Sequence, residues 1–213
     1  MDFINKDIQD YSASHTTQAS ELLEKIDRET HLNVLRPRML SGHVQGRILS
    51  MLSHMIRPKR VLEIGTYTGY SALCMAEGLD SKGELVTIDI NEELEPLVQK
   101  YFDESPYTDQ LKYLIGDAMQ LIPTLNEKFD LVFIDADKVN YSNYFDLVIN
   151  KVTQGGFIIA DNILWSGKVT STPKANDKDT KALIEFNQKV HEDSRVENVL
   201  MAVRDGLMIL RVL

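Results

Sequence analysis

Downstream of Pro58, short apolar runs alternate with stretches of helical period, and few folds accommodate that rhythm. The runs fall at residues 61–64, 85–88, 112–115, 131–134 and 157–160, each followed by a polar turn and then by apolar residues at helical spacing. Strands that alternate with helices wind into right-handed βαβ units around a largely parallel sheet. Two more runs, 199–203 and 207–212, are separated only by Arg204-Asp205-Gly206. A gap that short holds no crossover helix, so these strands pair antiparallel as a hairpin. The expected fold is α/β and Rossmann-like: a seven-stranded, mostly parallel sheet with an antiparallel C-terminal hairpin and helices on both faces.

Residues 1–57 read as helical, with Ala19, Leu22, Leu23 and Ile26, and then Val44, Ile48, Leu52 and Met55, recurring at helical spacing. Residues 36–43 between them read as a loop, and Asn91 reads as the N-cap of a helix through Leu94, Leu97 and Val98. One domain over 1–213 is expected, its first 57 residues forming part of an entrance and residues 58–213 the sheet core. The segment MDFINKDIQDY lacks a basic region followed by an apolar run, so no signal peptide is expected. No stretch approaches the ~20 apolar residues of a membrane span. The single cysteine, Cys74, lies among apolar neighbours and suits a buried helix position in a reducing compartment. A soluble, cytoplasmic protein is expected. Lys+Arg 23 against Asp+Glu 32 leaves a net charge of −9, which argues against binding long nucleic acids, where cationic side chains supply most of the affinity.

The first strand runs into Glu63-Ile64-Gly65-Thr66-Tyr67-Thr68-Gly69-Tyr70-Ser71. Glycines at the carboxyl end of a parallel strand let a ligand approach the backbone. The Gly-x-x-x-Gly spacing is neither the dinucleotide fingerprint nor a P-loop. A carboxylate at Glu63 suits a cationic ligand without phosphate, and S-adenosylmethionine (SAM), with its ammonium and sulfonium, has that character. Asp89 closes the second strand where an acid accepts from ribose hydroxyls. Gly116-Asp117-Ala118 follows the third strand, and Asp117 either meets an adenine amino group or caps the next helix.

The fourth and fifth strands end in Asp135-Ala136-Asp137-Lys138 and Asp161-Asn162. Adjacent parallel strands bring Asp135, Asp161 and Asn162 to one rim, an oxygen set suited to Mg2+, with Mn2+ or Ca2+ as alternatives. Two close carboxylates without a cation repel. Lys138, beside a cation and a sulfonium, is expected to titrate low enough to serve as general base for a substrate hydroxyl.

The segments 62–71, 133–138 with Asn140-Tyr141, and 161–169 together resemble the cation-dependent O-methyltransferases, the family of caffeoyl-CoA and catechol O-methyltransferases. The resemblance runs from about Met39 to Asp205-Gly206 and implies the fold of class I SAM-dependent methyltransferases. It implies cofactor contacts at Met39, Ser41, Glu63, Gly65, Ser71, Asp89 and Ala118, to which Gly116, Asp117 and Asp135 are added as neighbours on the same rim. It implies metal ligation by Asp135, Asp161 and Asn162, a base at Lys138, an aromatic pocket wall at Trp165 and a homodimer. Asp137 is a candidate substrate contact whose residue type varies within the family. The Asp-Glu-Gly-Gln of plant members is replaced by His43-Val44-Gln45-Gly46, and acceptor choice is assigned to the N-terminal helices and residues 166–179. The expected reaction is methyl transfer from SAM to one hydroxyl of a vicinal dihydroxy aromatic small molecule. Two rival readings are methylation of a hydroxylated tRNA base, for which Arg36, Arg38 and Arg47 are the basic residues near the entrance, and an NAD-dependent oxidoreductase, against which the glycine spacing and the hairpin both count.

Overall fold

The computed structural model describes residues 5–213. Met1–Ile4, the start of the segment read as lacking a signal peptide, lie outside the described residues. The N-terminal part forms helices α1 (Lys6–Ser14), α2 (Glu21–Asn33) and α3 (Gly42–Ile56). Strands β1 (Arg60–Ile64), β2 (Glu84–Asp89), β3 (Leu111–Ile115), β4 (Phe129–Ile134) and β5 (Val152–Asp161) then alternate with α4 (Tyr70–Ala76), α5 (Glu95–Glu104), α6 (Ala118–Thr124) and α7 (Tyr141–Val148). Helix α8 (Lys178–Glu192) leads into β6 (Val196–Met201) and β7 (Leu207–Val212).

The sheet order is β3-β2-β1-β4-β5-β7-β6, with β7 antiparallel to both neighbours, as the hairpin demands. The order reverses between β1 and β4, which opens a crevice at their carboxyl ends where sheets of this kind bind ligands. Alternation along the strands feeds two cores. Leu62, Ile64, Val132 and Ile134 pack beneath α6, α7 and α8, through side chains such as Ile122, Phe145 and Phe186. Val61, Leu131 and Phe133 pack against α2 to α5, through Ile26, Leu49, Leu73 and Val98. Each such aliphatic or aromatic side chain contributes roughly 1.5–3 kcal/mol by leaving water, which makes the sheet a rigid frame for its rim.

Four local expectations are corrected. The stretch 36–43 is not all loop: Pro37–Met39 forms a 3₁₀ turn and α3 has begun at Gly42. Asn91 accepts from Glu93 N–H at 3.0 Å and so caps the 3₁₀ turn Glu92–Leu94, one step before α5. Strand β5 starts at Val152 because β4 pairs first with Val152 and then with Phe157, leaving the intervening residues as an irregularity. Strand β6 is Val196–Met201 rather than 199–203, since pairing with β7 runs from Val196↔Val212 to Met201↔Leu207. The hairpin connection is therefore residues 202–206. Cys74 is fully buried on α4, and burial pushes its thiol up to about 12. Among the described residues, no helix is long and apolar enough to cross a membrane.

Candidate active site

The glycine loop sits between β1 and α4. Gly65 has φ +102, and a Cβ there would lie 2.0 Å from the Asp135 carbonyl oxygen, so the loop packs backbone to backbone against the end of β4. Gly69 has φ +82 and faces the Phe102 ring at a distance that leaves no room for a side chain. The Asp89 carboxylate braces the same loop, accepting from Tyr67 N–H at 2.7 Å and from Asn91 N–H at 2.9 Å.

Glu63 departs from expectation. Its side chain is completely enclosed on the α4 side of β1, where Ser71 Oγ and Thr87 Oγ1 each donate to it at 2.5 Å. Burial pushes its carboxyl up to about 8 against those two hydrogen bonds. A carboxyl raised this far by burial holds its negative charge less readily than an exposed acid, and a cationic ligand beside it would favour the ionised form. Asp117 performs the second of its two candidate roles: it caps α6, accepting from Met119 N–H at 2.9 Å. Gly116 adopts φ +150, and Ala118 is buried at the start of α6. In the entrance segment Met39 is exposed whereas Ser41 is buried as the residue preceding α3.

The register Ile134↔Ala160 sets Asp135 and Asp161 side by side at the next position of each strand. Asp161 is buried; burial first, and then the Asp135 carboxylate, raise it to about 7. Its Oδ1 accepts from Asn162 N–H at 2.6 Å and its Oδ2 from Gln45 Nε2 at 2.5 Å. Lys138 Nζ donates to Asp135 Oδ1 at 3.0 Å and to the Tyr141 hydroxyl at 2.6 Å. That hydroxyl donates in turn to the Asp161 carbonyl at 3.0 Å, and the Tyr141 ring is wedged edge-on against Phe186. Lys138 lies 5.8 Å from the centroid of the Trp165 ring, so the indole borders the same space. Asp137 turns away, taken up by Tyr144 Oη at 2.5 Å and Asn140 Nδ2 at 2.6 Å, both from the segment that starts α7.

Backbone strain is concentrated at this rim. Of the seven non-glycine residues with positive φ among those described, Tyr67, Asn162, Trp165, Ser166 and Arg204 border it. Such conformations persist where the surroundings over-determine them, and they cluster at functional sites. No point among the described residues gathers three or more His, Cys, Asp or Glu side chains; the set here is two carboxylates and an amide. That set fits a divalent cation: hard oxygen donors, one of them a buried carboxylate whose pKa is raised by its acidic neighbour, which is the state a nearby positive charge relieves. The glycine loop and Asp89 lie at the carboxyl ends of β1 and β2, on the edge of the sheet where folds of this kind take a nucleoside-bearing cofactor.

Three residues of this site escaped the sequence reading in these roles. Tyr141 meets Lys138 only three positions away, whereas Gln45 and Arg204 act through contacts that no local spacing announces; Gln45 and Asp161 are 116 positions apart. A buried polar residue on the inner face of α3 was the available signal for Gln45. Residues 166–179, to which acceptor choice is assigned, contain most of the 3₁₀ segment Trp165–Thr170 and the start of α8.

The O-methyltransferase family model matches residues 12–213. Caffeoyl-CoA O-methyltransferase 1 of Eucalyptus globulus is 34% identical over 183 residues, which span 81% of this chain and 74% of that one. The structure is similar to that of an O-methyltransferase from Bacillus cereus in complex with S-adenosylhomocysteine (SAH), with a TM-score of 0.88 and 26% identity over 97% of each chain. It is also similar to an SAH-bound methyltransferase of Podospora anserina, with a TM-score of 0.89 and 27% identity over 99% of this chain and 97% of that one.

Proposed function

The chain belongs to the O-methyltransferase family, and from that premise we propose that it methylates one hydroxyl of a small vicinal dihydroxy aromatic, using SAM and a divalent cation. The observation that carries the reading is the pairing of Asp135 and Asp161 beside Asn162, with Lys138 3.0 Å from Asp135. Asp135, Asp161 and Asn162 would hold the cation, with Mg2+ the first choice and Mn2+ or Ca2+ the alternatives. When bound, the cation supplies Lewis-acid stabilisation of an acceptor oxyanion and SAM supplies the methyl group. Met39, Ser41, the 65–71 loop, Asp89 and residues 116–118 line the crevice that would seat the cofactor, and Trp165 would stack on the acceptor ring.

Lys138 Nζ is the atom assigned to receive the acceptor's proton, a step it can take only as the neutral amine, having first given up a proton of its own to solvent. An unperturbed phenol, with a pKa of about 10, is mostly protonated at neutral pH, so the step needs a base. The Tyr141 hydroxyl and Asp135 fix the position of Nζ, and Tyr141, with its own hydroxyl pushed well above the ordinary tyrosine value by burial, stays a neutral hydrogen-bonding strut. A cytoplasmic homodimer belongs to the same reading, supported by the lone reduced thiol and by exposed Met51, Met55, Val199 and Leu200. The tRNA alternative loses one of its three arginines. Arg47 is committed to Glu77 through both terminal nitrogens at 2.8 Å and is mostly enclosed.

The test is methyl transfer from SAM to catechol, caffeic acid, caffeoyl-CoA and tRNA carrying a hydroxylated base, with and without EDTA and added Mg2+. Turnover on at least one acceptor, abolished by EDTA and restored by Mg2+, is expected. Undiminished turnover in metal-free protein would overturn the cation's role, and turnover only on tRNA would overturn the acceptor class.

A further inference from the structure

Both oxygens of the Asp161 carboxylate accept from neutral donors, one from the backbone of Asn162 and one from Gln45. Gln45 is 1% exposed, and its carboxamide can present either end to a neighbour. Its other partner decides which. Arg204 Nη1 lies 3.2 Å from Gln45 Oε1, and a guanidinium only donates. The Gln45 carbonyl is thereby committed to Arg204, and its N–H is left for Asp161. The same guanidinium donates through Nη1 and Nη2 to the Leu40 carbonyl at 3.3 Å, in the entrance segment between Met39 and Ser41.

The turn that carries Arg204 holds the other side of the rim as well. Leu164 N–H donates to the Asp205 carbonyl at 2.9 Å and Ser166 N–H to Asp205 Oδ1 at 2.5 Å. A Cβ on Gly206 would sit 2.6 Å from Leu164 Cγ, so turn and loop are in direct contact. Arg204 itself adopts φ 48, a left-handed conformation that a non-glycine residue takes at a cost.

The geometry points to a positioning device: Arg204 sets the Gln45 amide, Gln45 sets the Asp161 carboxylate, and the hairpin turn thereby locks the entrance segment and the acidic rim into one arrangement. The proposal rests on the reading of Asp161 as a cation ligand. An arginine placed directly on Asp161 would neutralise it and compete with the cation. The intervening amide passes on orientation without passing on charge. Neither residue needs to touch substrate, so both are positioning residues.

A double-mutant cycle of Gln45→Leu and Arg204→Ala tests it, with Arg204→Lys as the conservative variant. Arg211→Ala, which breaks the exposed pair with Glu197 elsewhere on the hairpin, is the control. The readouts are the Mn2+ dissociation constant of SAM-bound protein by electron paramagnetic resonance, and kcat and KM with catechol. Gln45→Leu should weaken Mn2+ binding roughly 10- to 100-fold, the usual range for losing a partner of a metal ligand. Arg204→Ala should weaken it less. The double variant should bind Mn2+ no more weakly than Gln45→Leu, because Arg204 acts on the rim through Gln45. Arg204→Ala should also raise the KM for SAM, through Leu40, whereas Gln45→Leu should not. Arg204→Lys should recover part of the loss, and the control should match the wild type.

Wild-type Mn2+ affinity in folded Gln45→Leu, or losses that simply multiply in the double variant, would overturn the proposal. If circular dichroism shows Gln45→Leu unfolded, Arg204→Ala decides at an exposed position, and unweakened Mn2+ binding there overturns it. A wild-type protein that binds no Mn2+ would remove the cation reading of Asp161 instead. The positioning claim would then be judged on the kcat cycle alone, where independent effects would overturn it.

Discussion

Glu63 and Asp161 are both carboxylates withdrawn from water near the carboxyl ends of parallel strands, on the glycine-loop half of the rim and on the acidic half. Glu63 is ringed by the hydroxyls of Ser71 and Thr87, and burial raises it to about 8. Asp161 has Asp135 beside it and two N–H donors on its oxygens, and it titrates near 7. Burial is similar in the two cases. What differs is the company: hydroxyls adapt to a protonated acid by rotating, whereas fixed N–H donors favour the ionised form. The hydroxyl-lined half of the rim accommodates a proton on its acid, whereas the N–H donors of the other half favour an ionised one.

The seam between the halves is where substitution should cost most. Gly65→Ala would drive a Cβ into the Asp135 carbonyl, a backbone atom that cannot swing aside, at a φ that alanine resists. A loss of about 3 kcal/mol or more is expected in urea denaturation, and a fully stable variant would show that the halves are not packed as described. Next comes Asp161→Asn. Turnover should fall roughly 100-fold or more, as when a group that stabilises developing charge is removed. The melting temperature should hold or rise, because a buried acid has been neutralised. Parallel loss of stability and activity would make Asp161 a structural acid like Glu63.

Glu63→Gln probes the other half through pH. The folded-state pKa of about 8 lies above the ordinary carboxylate value of 4.5, so between those values the native protein binds a proton that the unfolded chain has released. Wild-type stability should therefore decline as pH rises from about 4.5 to 8, at up to ~1.4 kcal/mol per unit from this one site. The Gln variant lacks that contribution. Urea midpoints should nearly coincide at pH 5 and favour the variant at pH 8.5, while identical pH profiles would contradict a buried neutral acid. The smallest effect is expected at Trp165→Leu, where loss of ring stacking, worth about 0.5–1.5 kcal/mol, should raise the acceptor KM several-fold with kcat nearly unchanged. A kcat effect alone would place Trp165 outside the acceptor pocket.

The strands were legible because buried parallel strands write themselves as short apolar runs, and the hairpin because three residues cannot bridge parallel strands. The rim acids were legible for the same reason, since Asp89 and Asp161 close their strands and Asp135 directly follows one. What spacing could not convey was direction and company. Glu63 follows the alternation of β1 into the interior, and its hydroxyl partners Ser71 and Thr87 could not be read from an acid two residues before a glycine. The bounds of β6 depended on pairing with β7, and Gln45 and Arg204, 159 positions apart, meet only once the sheet has brought hairpin and entrance together.

The strand order has a consequence for how the protein matures. β6 precedes β7 in the chain yet lies outside it in the sheet, so it joins the sheet only when β7 docks on β5. The turn bearing Arg204 and Asp205 is the link between those two strands, so it arrives at the rim in that same late event. A chain that has formed its other five strands but not this one would have Asp161 in place and unclamped. Chemical competence thus waits on the docking of that hairpin, and during refolding the return of turnover should not precede the pairing of β7 with β5.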